Sequence, residues 1–325
     1  MGIKKMLKFL NKNFPNSIKM INNTDFEHKM IAIDISILLY QVVIAIRNSG
    51  ADMINNQGEI SSHILGLFNK TINMLKMNII PLYVFDGKPS EFKTKTINNR
   101  KDIKQKASEK LNQNLTEDEK IKYFKRTVYI SKKQIDDCMK LLDLMGIPYI
   151  VAPEEADSQC AELVKSGIVD GVLTEDMDIM TFGANKIYRN LTSYNKENYM
   201  INMEDVLNEL KLNYEEFVEL CLLFGCDYCD IVLNAKPEKI YEYYIKHKNI
   251  PSTLKDMKKD GYYINNIDYT IYKNYFINPP VNHFTEKITL KKCNKDELEK
   301  LLVFKYGLVK MKIQNKLKFL DEYKI

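Results

Sequence analysis

Four short apolar runs, each followed closely by acidic residues, constrain the fold of this chain more than any other feature. Lys29-Met30-Ile31-Ala32-Ile33-Asp34 is the first, and Ile79 to Phe85, stopped by Asp86-Gly87, is the second. Ile147 to Ala152 leads into Pro153-Glu154-Glu155-Ala156-Asp157, and Val169 to Leu173 leads into Thr174-Glu175-Asp176-Met177-Asp178. Short runs rich in Ile and Val and bounded by turn residues read as buried strands. Between them the apolar spacing becomes helical. Ile37, Leu38, Val42 and Ala45 share one face, and Ile64, Leu67, Phe68, Ile72 and Leu75 share another within Ile60 to Met77. Ser131-x-x-Gln134 is a capping box. It opens a helix with Ile135, Cys138, Leu142 and Met145 on one face, and Gly146 is placed to end it. A further helix starts at Pro153-Glu154 and ends at Gly167, and from about residue 204 the pattern is mainly helical. This alternation predicts an α/β fold, a mostly parallel central sheet flanked by helices.

Residues 88–133 break the rhythm. They hold no strand pattern and carry 14 Lys or Arg against 6 Asp or Glu. Their helix-forming residues read as a helical excursion from the sheet, with a solvated charged surface helix as the plain alternative. The chain's net charge is +5, so a segment at +8 leaves −3 for the remainder. The average hides a cationic and an acidic region. With 45% hydrophobic residues the 325-residue chain can bury a substantial core and is not globally disordered. It has no apolar run of the ~18 residues that a membrane span needs. The start MGIKKMLKFLNKNF is too rich in lysine for a secretory signal. Gly2 invites a myristoylation reading, but Met6 stands where that motif has Ser or Thr. The six cysteines read as reduced thiols of an intracellular protein. Cys226-x-x-Cys229 lacks the second pair of ligands that zinc needs.

In an open parallel sheet, ligands bind beyond the carboxyl ends of the strands. Asp34, Asp86, the Glu154-Glu155-Asp157 group and the Glu175-Asp176-Asp178 group are therefore expected to converge. Like charges gathered in one place cannot all stay ionised unaided. One or two divalent ions relieve them, and oxygen ligands without His select Mg2+ or Mn2+ over zinc. Singly, each acid has a plainer role. Asp34 is a natural helix N-cap, and Glu154 and Glu155 complement a helix dipole. A haloacid-type phosphatase site needs a second Asp two residues after Asp34, where Ser36 stands. Two-metal nucleases use such acids to hold ions ~4 Å apart, and the basic segment suits a polyanionic substrate.

These residues lie in longer blocks. Met1-Gly2-Ile3, Ile31-Ala32-Ile33-Asp34, Tyr40-Gln41 and Ile44-Ala45-Ile46-Arg47 come first. Tyr83-Val84-Phe85-Asp86-Gly87-Lys88-Pro89 and Leu144-Met145-Gly146-Ile147-Pro148-Tyr149 follow. The last are Ala152-Pro153-Glu154-Glu155-Ala156-Asp157, Thr174-Glu175-Asp176-Met177-Asp178 and Leu223-Phe224-Gly225-Cys226-Asp227-Tyr228-Cys229. In order and spacing the chain resembles the flap endonucleases, the structure-specific 5′-nuclease family that includes the XPG-type enzymes. The resemblance covers roughly residues 1–250 and loosens afterwards.

The resemblance implies a PIN-like 5′-nuclease fold. Its nuclease core occupies 1–230 in two halves, 1–87 and 134–230, with a helical arch over 88–133 between them. A mainly helical, helix-two-turn-helix-like DNA-binding region covers 231–325. The family's metal ligands fall on Asp34, Asp86, Glu155, Asp157, Asp176, Asp178 and Asp227, leaving out Glu154 and Glu175. Asp157 stands where the family commonly has Glu. Lys93 and Arg100 match the basic pair at the base of the arch and join Asp34, Asp86 and Asp176 in the implied catalytic set. Tyr40 matches the aromatic on which a displaced base stacks, with a core tyrosine as the alternative. Lys125 and Arg126 match arch cations, and Arg47, Lys70, Lys236 and Lys239 complete the expected DNA-binding residues.

The implied reaction is hydrolysis of DNA phosphodiesters at single-strand/double-strand junctions during replication and repair, leaving a 5′-phosphate. Two Mg2+ ions would serve each site, with Mn2+ as a substitute. The implied partner is branched DNA with a 5′ flap, met by a monomer, and in a eukaryote the compartment is nuclear. A 5′-exonuclease, a junction-resolving nuclease and a catalytically weak structure-specific DNA-binding factor stay open as alternatives. Two departures stand out. The family's glycine-rich turn after Asp227 is replaced by Leu233-Asn234-Ala235-Lys236-Pro237, which puts its K+ site in doubt. Asn takes positive φ readily, whereas Ala does not. Near the C-terminus Gln314 and Leu317 fit half of a sliding-clamp motif, but Leu320 and Asp321 replace its two aromatics. Clamp binding through this segment is not expected.

Overall fold

The computed structural model describes residues 2–26, 28–191 and 197–323. Met1, which opens the first resembling block, lies outside the described residues. The first elements are α1 (Met6–Asn13), β1 (Ile18–Met20), β2 (Lys29–Asp34), α2 (Ile35–Ile46), α3 (Ser62–Lys76) and β3 (Ile79–Phe85). Then come α4 (Thr94–Leu111), α5 (Glu117–Arg126), α6 (Lys132–Met145), β4 (Tyr149–Val151), α7 (Ala156–Lys165) and β5 (Gly171–Leu173). β6 (Lys186–Arg189), β7 (Tyr199–Asn202), α8 (Met203–Leu210), α9 (Tyr214–Phe224), β8 (Val232–Leu233) and α10 (Pro237–His247) follow. The chain ends with α11 (Ile250–Lys259), β9 (Tyr263–Ile264), α12 (Tyr269–Ile277), α13 (Lys295–Lys300) and α14 (Lys310–Glu322). The α/β class expected from the sequence holds.

The chain divides into two compact units. Unit one comprises Met1–Asp25, Asp86–Thr96 and Val151–Thr285, and unit two comprises Phe26–Phe85, Ile97–Ile150 and Glu286–Ile325. In unit two, β2 and β3 pair in parallel, with Lys29 opposite Ile79 and Asp34 opposite Val84. Ile31, Ala32, Ile33, Leu82, Tyr83, Val84 and Phe85 are all buried, so neither strand alternates, as befits parallel strands covered on both faces. α3 packs with Ile64, Leu67, Phe68, Ile72 and Leu75 buried, and α6 with Cys138, Leu142 and Met145. The Ser131–Gln134 capping box forms, and Gly146 closes α6 at φ 74°. The basic excursion is helical, as α4 and α5, and α5 opens with its own capping box between Thr116 and Glu119.

In unit one, β5 and β6 are parallel, whereas β7 runs antiparallel to both β6 and β1. These antiparallel pairs were not foreseen, since β1, β6 and β7 are three or four residues long and too short for a legible period. Other boundaries shift for local reasons. β4 starts only at Tyr149, because Pro148 has no N–H and the Ile147 N–H caps α6 at the Leu142 carbonyl. β5 starts at Gly171, because the Ile168 and Val169 N–H groups both bond the Leu163 carbonyl at the end of α7. α7 begins at Ala156 rather than at Pro153. The Pro153 and Glu154 carbonyls instead accept from the N–H groups of Lys88 and Gly87, which ties the two acidic loops together. A Cβ on Gly87 would overlap the Ala152 carbonyl oxygen, so only glycine permits this approach. Among the described residues no helix is long and apolar enough to cross a membrane.

Candidate active site

Unit one gathers most of the expected acids. Asp86 Oδ1 accepts from the Ala156 N–H at 2.9 Å, so the acid after β3 caps the start of α7. Glu155 is the N-cap residue of α7 by backbone, yet its side chain makes no cap bond. Its Oε2 instead takes Lys93 Nζ at 2.7 Å, and its Oε1 takes the Ser90 N–H at 3.3 Å. Two residues on, Asp157 is buried and its Oδ1 has no hydrogen-bond partner. After β5, the Asp176 N–H donates to Thr174 Oγ1 and Asp176 Oδ1 accepts from the Asp178 N–H at 3.1 Å. Asp178 is 1% exposed, and its Oδ1 also has no partner. Asp227 is half-buried, and its carbonyl accepts from Thr96 Oγ1 at 2.5 Å.

The charges perturb one another strongly. Burial first, then Asp176, with smaller shares from Asp86 and Glu155, pushes the Asp157 pKa up to about 8, against the opposing pull of Lys93. Burial and then Asp176 hold Asp178 well above the usual carboxylate range. Burial alone would drive the Lys93 ammonium toward neutrality, but Asp157, Glu155 and Asp178 more than reverse this and raise its pKa. Lys93 is the counter-charge of the group. It also lies 5.0 Å from the Tyr228 ring centroid, and Tyr228 is held by Phe182, Tyr275 and Phe276.

Two neighbouring acids have other employment. Glu175 receives Arg189 Nη2 at 2.6 Å and the Asn190 N–H at 3.0 Å, and Glu154 receives the Tyr275 hydroxyl at 3.0 Å. Gly2 is a contributor that the sequence reading left without a role at the site. At φ 77° it packs so closely that a Cβ would overlap Asp176 Oδ1 and the Asp178 backbone nitrogen. Tyr228, next to Asp227, was the other omission, and only the aromatic contacts reveal it.

The remaining predicted residues lie in unit two or on the C-terminal helices. Asp34 is 7% exposed and caps α2, its Oδ1 accepting from the Ser36 and Ile37 N–H groups. Arg100 and Arg126 are exposed, and Lys125 is half-buried. Tyr40 receives Lys104 Nζ at 2.9 Å. Lys70 is half-buried, with its pKa pulled down to about 8 by burial. Arg47 departs most from the expected role, because it is buried and engaged internally. Its Nε and Nη2 grip Asp52 at 2.8 Å each, while Nη1 donates to the Phe124 carbonyl and Thr127 Oγ1. Lys239 pairs with Glu242, and Lys236 is the exposed N-cap residue of α10. Asn234 in the glycine-free turn adopts φ 61°, the conformation expected of it. In α14, Leu317 and Leu320 are buried.

A divalent ion is chemically compatible with these residues. The donors are all oxygens, and the two orphaned oxygens of Asp157 and Asp178 lack any other buried partner among the described residues. No group of three or more His, Cys, Asp or Glu among the described residues forms a ready-made coordination shell.

Comparison with known proteins identifies the family. Residues 1–107 match the family model for the XPG N-terminal domain, and residues 146–227 match that for the XPG I-region. Flap endonuclease 1 of Entamoeba dispar is 37% identical over 311 residues, covering 93% of this chain and 83% of the relative. The solved flap endonuclease-1 from Methanococcus jannaschii superposes with a TM-score of 0.74 at 30% identity, over 94% of this chain and 96% of that one. The catalytic core of Rad2 in complex with DNA substrate gives a TM-score of 0.75 at 25% identity, over 98% of this chain and 100% of that one. The chain belongs to the flap endonuclease family of XPG-type nucleases.

Proposed function

We propose that this chain is a divalent-metal-dependent, structure-specific 5′ nuclease, cutting DNA near the base of a 5′ flap and leaving a 5′-phosphate. The observation that carries the reading is the set of buried, mutually repelling carboxylates in unit one, compensated by the half-buried Lys93. Asp34, Asp86, Glu155, Asp157, Asp176, Asp178 and Asp227 are the residues that would hold two Mg2+ ions, with Mn2+ as a working substitute. Bound ions would supply an activated water and neutralise the leaving oxygen. Lys93 brings a cation already charged at neutral pH to the scissile phosphate, and Arg100 adds a second from α4. Because Tyr228 and Glu155 hold Lys93, little reorganisation is needed when charge develops, which is where such groups are most effective. Tyr40, Lys70, Lys125, Arg126, Lys236 and Lys239 are assigned to the DNA, and the enzyme acts as a monomer. In a eukaryotic cell its compartment is that of DNA replication, the nucleus.

The test compares flap, nicked, gapped, bubble and four-way DNA side by side, with Mg2+ and with EDTA. Preferential Mg2+-dependent cutting of the 5′ flap is the expected result. Equal cutting of blunt ends assigns a 5′-exonuclease instead, and a preference for four-way DNA assigns a junction-resolving enzyme. Asp176→Ala should abolish cutting while preserving DNA binding, and full activity in that variant would sink the metal assignment.

A further inference from the structure

In the loop after β5, Glu175 and Met177 alternate with Asp176 and Asp178, and the two pairs have different neighbours. Asp176 and Asp178 belong to the acid group. Glu175 and Met177 both meet Arg189, the last residue of β6. Its Nη2 donates to Glu175 Oε2 at 2.6 Å, and its Nη1 donates to Met177 Sδ at 2.9 Å. Arg189 is 6% exposed, and its guanidinium lies 5.8 Å from the ring centroid of Tyr199, its register partner on β7. The residues flanking Arg189 hold the same loop through their backbone. The Tyr188 carbonyl accepts from the Thr174 N–H at 3.2 Å, and the Asn190 N–H donates to Glu175 Oε1 at 3.0 Å.

Inside the loop the acids depend on one another. The Asp176 N–H bonds Thr174 Oγ1 at 3.0 Å, and Asp176 Oδ1 takes the Asp178 N–H at 3.1 Å, so a shift of Glu175 or Met177 is passed to both carboxylates. A buried ion pair often adds little net stability, because desolvation offsets its attraction. A planar guanidinium does fix direction, since its donors form a rigid fork.

We propose that Arg189 is a positioning residue for Asp176 and Asp178: by gripping Glu175 and Met177, it sets the direction of the two carboxylates that alternate with them. Glu175, which the expected ligand set leaves out, thereby orients two acids that the set includes. The inference rests on the metal-dependent reading above and concerns residues to which that reading gives no part. Partners that stand behind metal ligands typically change metal affinity or activity by about 10–100-fold when they are removed.

The test measures Mn2+ binding to the full, DNA-free chain by electron paramagnetic resonance of the unbound ion. Single-turnover cutting of a 5′ flap across a Mg2+ series runs beside it. Arg189→Met should weaken Mn2+ binding, and raise the Mg2+ needed for half-maximal rate, by about 10-fold or more. The sign is diagnostic, because loss of a nearby cation by itself would tighten the binding of another. Arg189→Lys keeps the charge without the fork and should shift both quantities in the same direction by less. Flap affinity in EDTA should stay unchanged in both variants. Lys273→Met breaks an ion pair with Glu215 and Glu219 elsewhere in unit one, and should lower the melting temperature while leaving Mn2+ binding alone. Unchanged or tighter Mn2+ binding in Arg189→Met overturns the proposal. An equal weakening in Lys273→Met also overturns it, by making the effect one of lost stability. Weaker flap binding in EDTA with normal Mn2+ binding overturns it too, by making Arg189 a DNA contact. If Arg189→Met does not fold, Arg189→Lys decides, and wild-type Mn2+ binding in that variant overturns the proposal. Asp176→Ala separates the two readings. Wild-type Mn2+ binding in Asp176→Ala removes the metal reading, whereas weak binding there with normal binding in Arg189→Met removes this proposal alone.

Discussion

Replacing Lys93 by Met removes one charge from the most densely acidic part of unit one while nearly preserving side-chain length. Lys93 Nζ lies 2.7 Å from Glu155 Oε2, and the two side chains are only 14% and 11% exposed. Removing one partner of so buried a pair typically costs about 3–5 kcal/mol, because the other charge stays behind unpaired. Two features reduce that cost here. Asp157, already pushed up to about 8, takes up a proton more readily once Lys93 no longer opposes it. Met also continues to pack on the Tyr228 ring that Lys93 covers. A loss of about 2–3 kcal/mol in EDTA remains, and at ~2–4 °C per kcal/mol for a unit of this size the melting temperature falls by roughly 4–12 °C. Mg2+ should restore most of this, since the acids then have another counter-charge. Glu155, released from its lysine, should lower the Mg2+ concentration needed for half-maximal activity. At saturating Mg2+ the single-turnover rate should nevertheless fall by ~10²–10³, the usual cost of losing a positioned charge-stabilising group. Thermal melts with and without Mg2+, and quench-flow cleavage of a 5′ flap across a Mg2+ series, measure all three. An unchanged melting temperature in EDTA, or a raised Mg2+ requirement, would refute the counter-charge role of Lys93.

Other expectations follow from groups outside the acids. Arg47→Met should cost about 3–5 kcal/mol, because it strands Asp52 and frees the end of α5. Hydrogen exchange should quicken across Glu117–Arg126, and unchanged exchange there would count against Arg47 as the tie. His63 is 1% exposed, and burial first, aided by Lys305 and Lys133 against Asp137, pulls its pKa down to about 4 from 6.5. The folded state thus binds fewer protons than the unfolded one, so this contribution is complete above pH 6.5 and is lost as the pH falls to about 4. Urea melts should show a loss of up to ~3 kcal/mol over that window, absent in His63→Leu, and an identical pH profile in the variant would exclude His63 as the source. The glycine-free turn at Asn234 predicts that exchanging NaCl for KCl at equal ionic strength leaves duplex affinity unchanged, and a K+-specific gain would contradict it.

The site was legible in the sequence to the extent that it depends on strand ends. A buried strand shows itself by composition and a turn by its residue types, so an acid just after a strand can be read from a few neighbouring residues. Asp86, Asp176 and Asp178 were found in this way, as were the Ser131–Gln134 capping box and the helical character of the basic segment. Asp34 satisfies its plain reading as a helix cap. The family resemblance, rather than the pattern, separated Glu155 from Glu154 and Asp176 from Glu175.

By itself, then, the sequence determined the alternation of strands and helices, the positions of the acids along the chain and the separation of a basic segment from them. Each of these rests on a period or a cap spanning a handful of residues. The tertiary structure alone decided which charges meet. Glu175 is paired with Arg189, 14 positions away, and Glu154 with Tyr275, 121 away, whereas Lys93 reaches Glu155 across 62. It likewise placed Gly2 against Asp176 and Asp178, and lined a cavity with lysines from α1 and from the start of α10. Local propensity carries no record of such meetings. They follow from packing between segments far apart in the chain, and burial then sets the energy of every charge brought together.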